Sequence, residues 1–264
     1  MSTEYQTLLI RQPEDHVVVV TLNRPETSNA INTQMGRELM TWFEETTLNP
    51  GDARCIVLTG AGEKAFCAGG DLKERKGMTD DAWTQQHAMF ERMLRAVMAC
   101  PVPILGAVNG VAYGGGTEVA AACDFLYASE HARFALTEVT LGIMPGCGGT
   151  QNLPRAVGER RAKELILAAR AFTAEEGYEW GLVNRLCEPG KALADALETA
   201  RAIAENAPLS ARQAKKSIHY GLQTDIATGY RFEIEAYNRL VTTEDRIEGV
   251  RAFNEKRKPA FRGR

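Results

Sequence analysis

The chain has 264 residues, 44% hydrophobic and 25% charged, which is enough to bury the core of one large globular domain. Its formal net charge of −3 excludes a strong general attraction to nucleic acid or to an anionic membrane, so neither is expected as a partner. The sequence has no apolar stretch that could span a membrane, no secretion signal in residues 1–10 and no C-x-x-C pair among its six cysteines. These features predict a cytoplasmic protein with reduced thiols.

Strand and helix signals alternate over the first half of the chain. Residues 5–11 and 17–22 predict an antiparallel hairpin with a turn at 13–15. Apolar residues at helical spacing begin near Asn32, with Asn32 or the following threonine as N-cap, and a strand is expected at 55–59. Two further cycles are predicted to contain a helix over 82–98, a buried strand over 101–108, a short helix from near Thr117, and strands over 125–128 and 133–136. This repeating order predicts a spiral of stacked turns.

The last third of the chain is predicted to be helical. Thr173 and Glu176 form a T-x-x-E capping box, and after it strand signals nearly vanish. Helices of about 12 to 18 residues are expected there, separated by Pro208, Gly221 and Gly229. No low-complexity linker precedes them, so this helical region is expected to dock on another surface.

Two glycine-rich segments, 67–71 and 113–117, each follow a predicted strand and precede a helix. Glycine lets the backbone approach a ligand closely, and the first amides of a helix have no intrahelical acceptor. Both segments can therefore offer free N–H groups, at the positive end of a helix dipole, to a developing oxyanion. The alternative is that these glycines only form tight turns. The G-x-G-x-x-G and G-x-x-x-x-G-K-[ST] phosphate patterns are absent, which disfavours nucleotide hydrolysis.

Glu118 and Glu138 are the candidate acid and base. Glu118 lies in the first turn of the helix after the second glycine segment, where the helix dipole favours an acidic side chain. Glu138 has apolar sequence neighbours, and an apolar environment raises the pKa of a carboxyl toward neutrality. The alternative for each is a surface charge, because spacing alone does not bring the two together. The histidines show no metal-ligand spacing and G-x-S-x-G is absent, so no metal site or serine nucleophile is expected.

Several segments together resemble the crotonase, or enoyl-CoA hydratase/isomerase, superfamily. The resemblance covers nearly the whole chain, and it is specific because separate motifs agree in order. They are LNRP at 22–25 with Asn29-Ala30, FCAGGDLKE at 66–74, GGGTE at 114–118, FALTE at 134–138, LGIMPGCGGTQ at 141–151 and AFNEKR at 252–257.

The resemblance implies an α/β fold with two regions. A crotonase-like ββα spiral core with the acyl-CoA site is expected over residues 1–200, and a helical C-terminal oligomerisation region over 201–264. Members of the family assemble as trimers, commonly paired into hexamers, so a homotrimer or a dimer of trimers is expected. The expected ligand is an acyl-CoA thioester. Coenzyme A is then part of the substrate, and no other cofactor is implied.

The resemblance also assigns site residues. The amides of Gly70 and Gly115 would form the oxyanion hole for the thioester carbonyl, and Glu118 and Glu138 match the two catalytic glutamates of the hydratases. Phe253 and Lys256 match tail positions that reach the coenzyme A of a neighbouring subunit in relatives. The full set expected to bind substrate or coenzyme A is Ala30, Ala68, Gly70, Asp71, Leu72, Lys73, Gly115, Gly146, Phe253 and Lys256.

Because both glutamates are present, the resemblance favours an enoyl-CoA hydratase, as in β-oxidation of fatty acids, over an enoyl-CoA isomerase. The stretches DLKERK at 71–76 and LPRAVG at 153–158 are similar to methylglutaconyl-CoA hydratases of leucine breakdown, which is the alternative substrate class. Some proteins of that branch bind RNA through a lysine-bearing helix. Here residues 35–47 contain no lysine, so RNA binding is not favoured. The two glutamates at matching positions speak against a binding module without turnover. The acyl pocket is expected to be shaped by the 82–98 helix, Met144 and Trp180.

Overall fold

Ten strands form two sheets in the computed structural model, which describes residues 5–264. The strands are β1 (Leu8–Glu14), β2 (Val17–Leu22), β3 (Cys55–Gly60), β4 (Ala65–Cys67), β5 (Ile104–Val108), β6 (Val111–Tyr113), β7 (Phe125–Ser129), β8 (Arg133–Ala135), β9 (Phe172–Thr173) and β10 (Arg185–Cys187). The larger sheet has the order β1-β2-β3-β5-β7-β10 and is parallel except for the β1–β2 hairpin. The smaller sheet has the order β4-β6-β8-β9, antiparallel only between β8 and β9.

Eleven α-helices are present among the described residues. They are α1 (Thr33–Leu48), α2 (Leu72–Arg75), α3 (Asp80–Ala99), α4 (Gly115–Ala121), α5 (Gly149–Val157), α6 (Glu159–Leu167), α7 (Ala174–Trp180), α8 (Ala192–Ala204), α9 (Pro208–Gly221), α10 (Ile226–Val241) and α11 (Glu244–Asn254). Short 3₁₀ helices lie at Pro25–Thr27 and Glu138–Leu141. The pairs β3/β4, β5/β6 and β7/β8 each give one strand to each sheet, which confirms the predicted α/β spiral.

The larger sheet is covered on both faces because its strands are apolar on both faces. All six residues of β3 are buried, as expected for a central parallel strand. One face packs toward α1 and α3, which lie against each other, and its core includes Phe43 and Phe66. The other face is covered by α8 through Ala196, Ala200 and Ala204, whose spacing of four places them on one side of the helix. The expected domain boundary at residue 200 therefore lies within α8.

Most predicted elements are found, including their caps. The Asn32 side chain accepts a hydrogen bond from the Met35 amide at 2.9 Å and begins α1. The capping box of Thr173 and Glu176 at the start of α7 is complete. All six cysteines are free, and four of them are buried. Among the described residues, no helix has the length and apolarity that crossing a membrane requires.

Two local predictions were wrong. The turn predicted at 13–15 lies later, because Pro13 is accommodated in the edge strand β1 at an irregularity between Arg11 and Glu14. The short helix predicted from near Thr117 is confirmed and begins at Gly115. Gly229 does not separate helices but lies inside α10, which the Asp225 carboxylate caps through the Ala227 and Thr228 amides. A good N-cap offsets the roughly 1 kcal/mol that one glycine costs inside a helix.

Candidate active site

The first glycine loop connects β4 to α2 and is fixed by the segment before α1. The Ile31 amide donates to the Gly69 carbonyl at 2.7 Å, and the Ile31 carbonyl accepts from the Asp71 amide at 2.9 Å. Asp71 then caps α2 by accepting from the Lys73 and Glu74 amides. The amide of Gly70 takes no part in these hydrogen bonds and donates to no group among residues 5–264.

The second glycine loop lies directly against the first. The Gly114 amide donates to the Ala135 carbonyl at 2.8 Å, and α4 begins at Gly115. A Cβ on Gly69, which has φ +94°, would lie 2.7 Å from the Tyr113 carbonyl oxygen and 3.3 Å from the Gly115 nitrogen. A Cβ on Gly115 would lie 3.7 Å from the Gly70 nitrogen. The loops can approach this closely because glycine occupies both sides. Within residues 5–264 the Gly115 amide also lacks an acceptor, as expected at the first position of a helix.

A cavity of about 490 Å³ opens over the two loops. Seven of the predicted site residues line it, namely Ala68, Gly70, Leu72, Gly115, Glu118, Glu138 and Gly146. Its apolar wall comes from α3, from the segment after Glu138 and from Ile31, and includes Trp83, Phe90, Met93, Leu141, Ile143 and Met144. No three His, Cys, Asp or Glu side chains of the described residues come together as a metal site requires.

Glu118 is at the buried end of this cavity. Its side chain is 3% exposed, and its Oε1 accepts the Cys147 amide at 2.8 Å and the Gly149 amide at 2.9 Å. Burial raises the pKa of Glu118 to about 7, and the two amide hydrogen bonds oppose this rise without cancelling it. The negative charge of Glu138 adds a smaller increase. The carboxyl can therefore gain or lose a proton near neutral pH.

Glu138 begins the 3₁₀ helix after β8 and approaches the second glycine loop. A Cβ on Gly114 would lie 3.1 Å from its Oε1. Its Oε2 is buried and has no hydrogen-bond partner among the described residues. Burial raises the pKa of Glu138, as its apolar sequence neighbours predicted. The pairing of β6 with β8 brings Glu118 and Glu138, 20 positions apart in the sequence, to one cavity.

The remaining predicted residues do not line the cavity of their own chain. The Asp71 carboxylate and the Ala30 carbonyl both accept from the Arg24 guanidinium, at 2.9 Å and 2.6 Å, which fixes the start of α2 to the segment before α1. Lys73, Phe253 and Lys256 are exposed, Phe253 by 83%. Arg24 belongs to the LNRP motif, but its supporting contact was not predicted from the sequence.

Five polar residues of the cavity lining were not predicted, and Trp180 lies outside the cavity. The five are Arg75, Thr84, His87, Thr137 and Cys147. The spacing of Trp83, His87 and Phe90 along α3 could have indicated a shared face. Trp180 was expected to shape the acyl pocket but packs against the core, where its ring is tilted against Phe172 with ring centroids 5.6 Å apart.

The raised pKa of Glu118 predicts a pH-dependent cost to stability. Between pH 4.5 and about 7 the Glu118 carboxyl is protonated in the folded state but ionised in the unfolded state, so the free energy of unfolding falls as pH rises through this range. Above about pH 7 the total loss is about 3 kcal/mol. Glu118→Gln keeps an acceptor for both amides but does not titrate, so we expect it to be more stable than the parent at alkaline pH. Urea unfolding of both proteins at about pH 5 and about pH 8 measures this. If the free energy of unfolding differs between Glu118→Gln and the parent by the same amount at both pH values, the raised pKa is contradicted. Glu130→Gln, on the exposed surface, is the control.

The cavity therefore combines two buried carboxyl groups of raised pKa with two backbone amides that have no acceptor among the described residues. The sequence matches the family described as enoyl-CoA hydratase/isomerase over residues 12–264. The chain therefore belongs to the enoyl-CoA hydratase/isomerase family of enzymes and has the crotonase fold.

Similar proteins agree along nearly the full length. The chain is 41% identical to the short-chain-enoyl-CoA hydratase of Clostridium acetobutylicum, over 95% of each chain. It is 36% identical to the crotonyl-CoA hydratase of Syntrophomonas wolfei, over 96% of this chain and 97% of that protein. The crystal structure of an enoyl-CoA hydratase from Bacillus anthracis superposes with a TM-score of 0.96 at 42% identity, covering 98% of this chain and all of that one.

Proposed function

We propose that this protein is an enoyl-CoA hydratase that adds water across the 2,3 double bond of a 2-enoyl-CoA. The observation that carries the proposal is the pairing, in one cavity, of two carboxyls of raised pKa with two free amides. Names of the relatives, among them a short-chain-enoyl-CoA and a crotonyl-CoA hydratase, support the same reaction. Coenzyme A enters as part of the substrate, and the reaction requires no other cofactor.

The amides of Gly70 and Gly115 are proposed to form the oxyanion hole. Conjugate addition of water at C3 places negative charge on the thioester oxygen, and both amides lie on the cavity wall without another acceptor among the described residues. Each preorganised donor can contribute about 3 to 4 kcal/mol to the transition state. The close contact of the two glycine loops lets both donors reach one oxygen.

The two glutamates are proposed to divide the proton transfers. Glu118, whose Oε1 is fixed by two amides, would orient and deprotonate water for attack at C3. Glu138 would deliver the proton to C2, because its carboxyl lies against Gly114 and hence beside the thioester bound at Gly115. One carboxyl must be ionised while the other is protonated, so the pair titrates as a coupled unit.

Coenzyme A is proposed to bind along the first glycine loop. Ala68 and Leu72 line the cavity there, and Ala30, Asp71 and Lys73 would contribute mainly through backbone groups, since the Asp71 carboxylate already binds Arg24. Gly146 would line the part of the cavity that holds the acyl group, and a Cβ on Gly146 would overlap the His87 ring.

A homotrimer, or a dimer of trimers, is the proposed assembly, with residues 201–264 as the oligomerisation region. This region exposes many large apolar side chains, including Ile218, Leu222, Ile226, Tyr230, Ile234, Tyr237, Ile247, Val250 and Phe253. Such a surface is typical of one that another subunit covers. Phe253 and Lys256 would then reach the coenzyme A of the neighbouring subunit. The mass of the particle in solution distinguishes these assemblies from a monomer.

The test is the loss of enoyl-thioester absorbance when the purified protein is mixed with crotonyl-CoA. We expect rapid loss with formation of 3-hydroxybutyryl-CoA. An enoyl-CoA isomerase, the alternative enzyme, would instead convert a 3-enoyl-CoA into a 2-enoyl-CoA without hydrating crotonyl-CoA. Methylglutaconyl-CoA is the alternative substrate, and its rate relative to crotonyl-CoA separates the two hydratases.

A further inference from the structure

Arg75 is a half-buried guanidinium in the wall of the candidate active site. Its Nε donates to the Gln86 side-chain oxygen at 2.9 Å, and its Cζ lies 4.4 Å from the ring centroid of Trp83 and 5.6 Å from that of Phe90. A Cβ on Gly70 would lie 3.6 Å from the same Cζ. Trp83, Phe90 and Gly70 all line the cavity, so the guanidinium is placed between its aromatic wall and the proposed oxyanion hole.

This cation has no anionic partner among residues 5–264. No carboxylate lies within ion-pair distance of it, and the nearest acidic sequence neighbour, Glu74, instead accepts from the Thr33 amide and the Gln86 side chain. Neither terminal nitrogen of Arg75 donates to a described group. Burial lowers the pKa of Arg75, and the electrostatic effects of Cys147 and Glu74 oppose this shift without cancelling it. The two terminal nitrogens of one guanidinium can donate in parallel to the two oxygens of a carboxylate.

The position of Arg75 indicates which part of a substrate would supply this carboxylate. The phosphates of coenzyme A are separated from the thioester by the whole pantetheine arm, whereas Arg75 lies directly beside Gly70. An anion held there belongs to the acyl group, close to the reacting carbons. The neighbouring rings of Trp83 and Phe90 reduce the contact of the guanidinium with water, which strengthens a charge-assisted hydrogen bond there.

We propose that Arg75 is a specificity-determining residue that selects 2-enoyl thioesters whose acyl group ends in a carboxylate. The proposal rests on the hydratase function and narrows its substrate class to dicarboxylic enoyl-CoA compounds. A simple alkyl chain leaves the guanidinium desolvated and unpaired, and so gains less from binding.

The test compares glutaconyl-CoA with 2-pentenoyl-CoA, which differ only by a carboxylate in place of the terminal methyl group. We expect the parent protein to have the higher kcat/KM for glutaconyl-CoA. Arg75→Met should lower that value by about 10- to 100-fold, the effect of one hydrogen-bonded charge, and leave 2-pentenoyl-CoA unchanged or improved. Lys76→Met, which removes an exposed cation one residue away, is the matched control and should change neither substrate.

Two outcomes would overturn the proposal. Equal kcat/KM values for the two substrates in the parent would show that the carboxylate is not recognised, while hydratase function would stand. An equal loss on both substrates in Arg75→Met would assign Arg75 to coenzyme A or to the fold. If neither thioester is hydrated, the proposed function fails, and calorimetric binding of glutaryl-CoA against pentanoyl-CoA to the parent still decides whether the carboxylate is preferred.

Discussion

Glu118→Gln is expected to lower kcat for enoyl-CoA hydration by about 10²- to 10⁴-fold, the range for removing a general acid or base. The substitution preserves the size of the side chain and an oxygen that accepts from the Cys147 and Gly149 amides. It removes only the ability to gain and lose a proton with a pKa of about 7. Affinity for a saturated acyl-CoA should change little, since the role proposed for Glu118 is to act on water rather than on coenzyme A. Stopped-flow absorbance and calorimetry measure the two quantities.

Glu138→Gln should give a loss of similar size, and the double variant should be little worse than either alone. Residues that act as one catalytic unit lose most of their effect when either is removed. Glu130→Gln, on the exposed surface, is the control for replacing a glutamate and should retain full activity. Retention of hydration in Glu118→Gln would contradict the two-carboxyl mechanism and favour chemistry with Glu138 alone.

The spiral could be predicted because its signals are local. β-branched strands, a glycine turn and an amphipathic helix repeat in order, and each element reflects the periodicity of its own residues. The glycine loops could be predicted for the same reason, since glycine before a helix indicates free amides wherever the helix packs.

The contacts between distant elements could not be predicted from such signals. The two glycine loops touch only because β4 and β6 pair in parallel, with Ile31 bound to the first loop. Arg75 and His87 line the cavity because of the way that α2 and α3 are rotated, and a charged residue in a sequence is equally consistent with an exposed face. The region around Trp180 was expected to affect the depth of the pocket, but the Trp180 ring packs against Phe172.

Gly69→Ala is expected to lower kcat by about 100-fold or more while the protein still folds, because it should separate the two oxyanion donors. The added Cβ would lie 2.7 Å from the Tyr113 carbonyl oxygen and 3.3 Å from the Gly115 nitrogen, so the loops must move apart. Gly77→Ala is the matched control. Gly77 has φ +82° against +94° at Gly69, but a Cβ there has nothing within 4 Å.

Both alanines therefore carry the same kind of backbone strain, about 1 to 2 kcal/mol, and only the one at position 69 adds a steric contact between the loops. Thermal unfolding should show a loss of stability in both variants, larger in Gly69→Ala because its Cβ also meets the Tyr113 carbonyl oxygen, whereas kcat with crotonyl-CoA should fall in Gly69→Ala alone. An equal fall in both would attribute the effect to general destabilisation. Full activity in Gly69→Ala would mean that the two amides do not need their close spacing, and the thioester oxygen would then require a different donor.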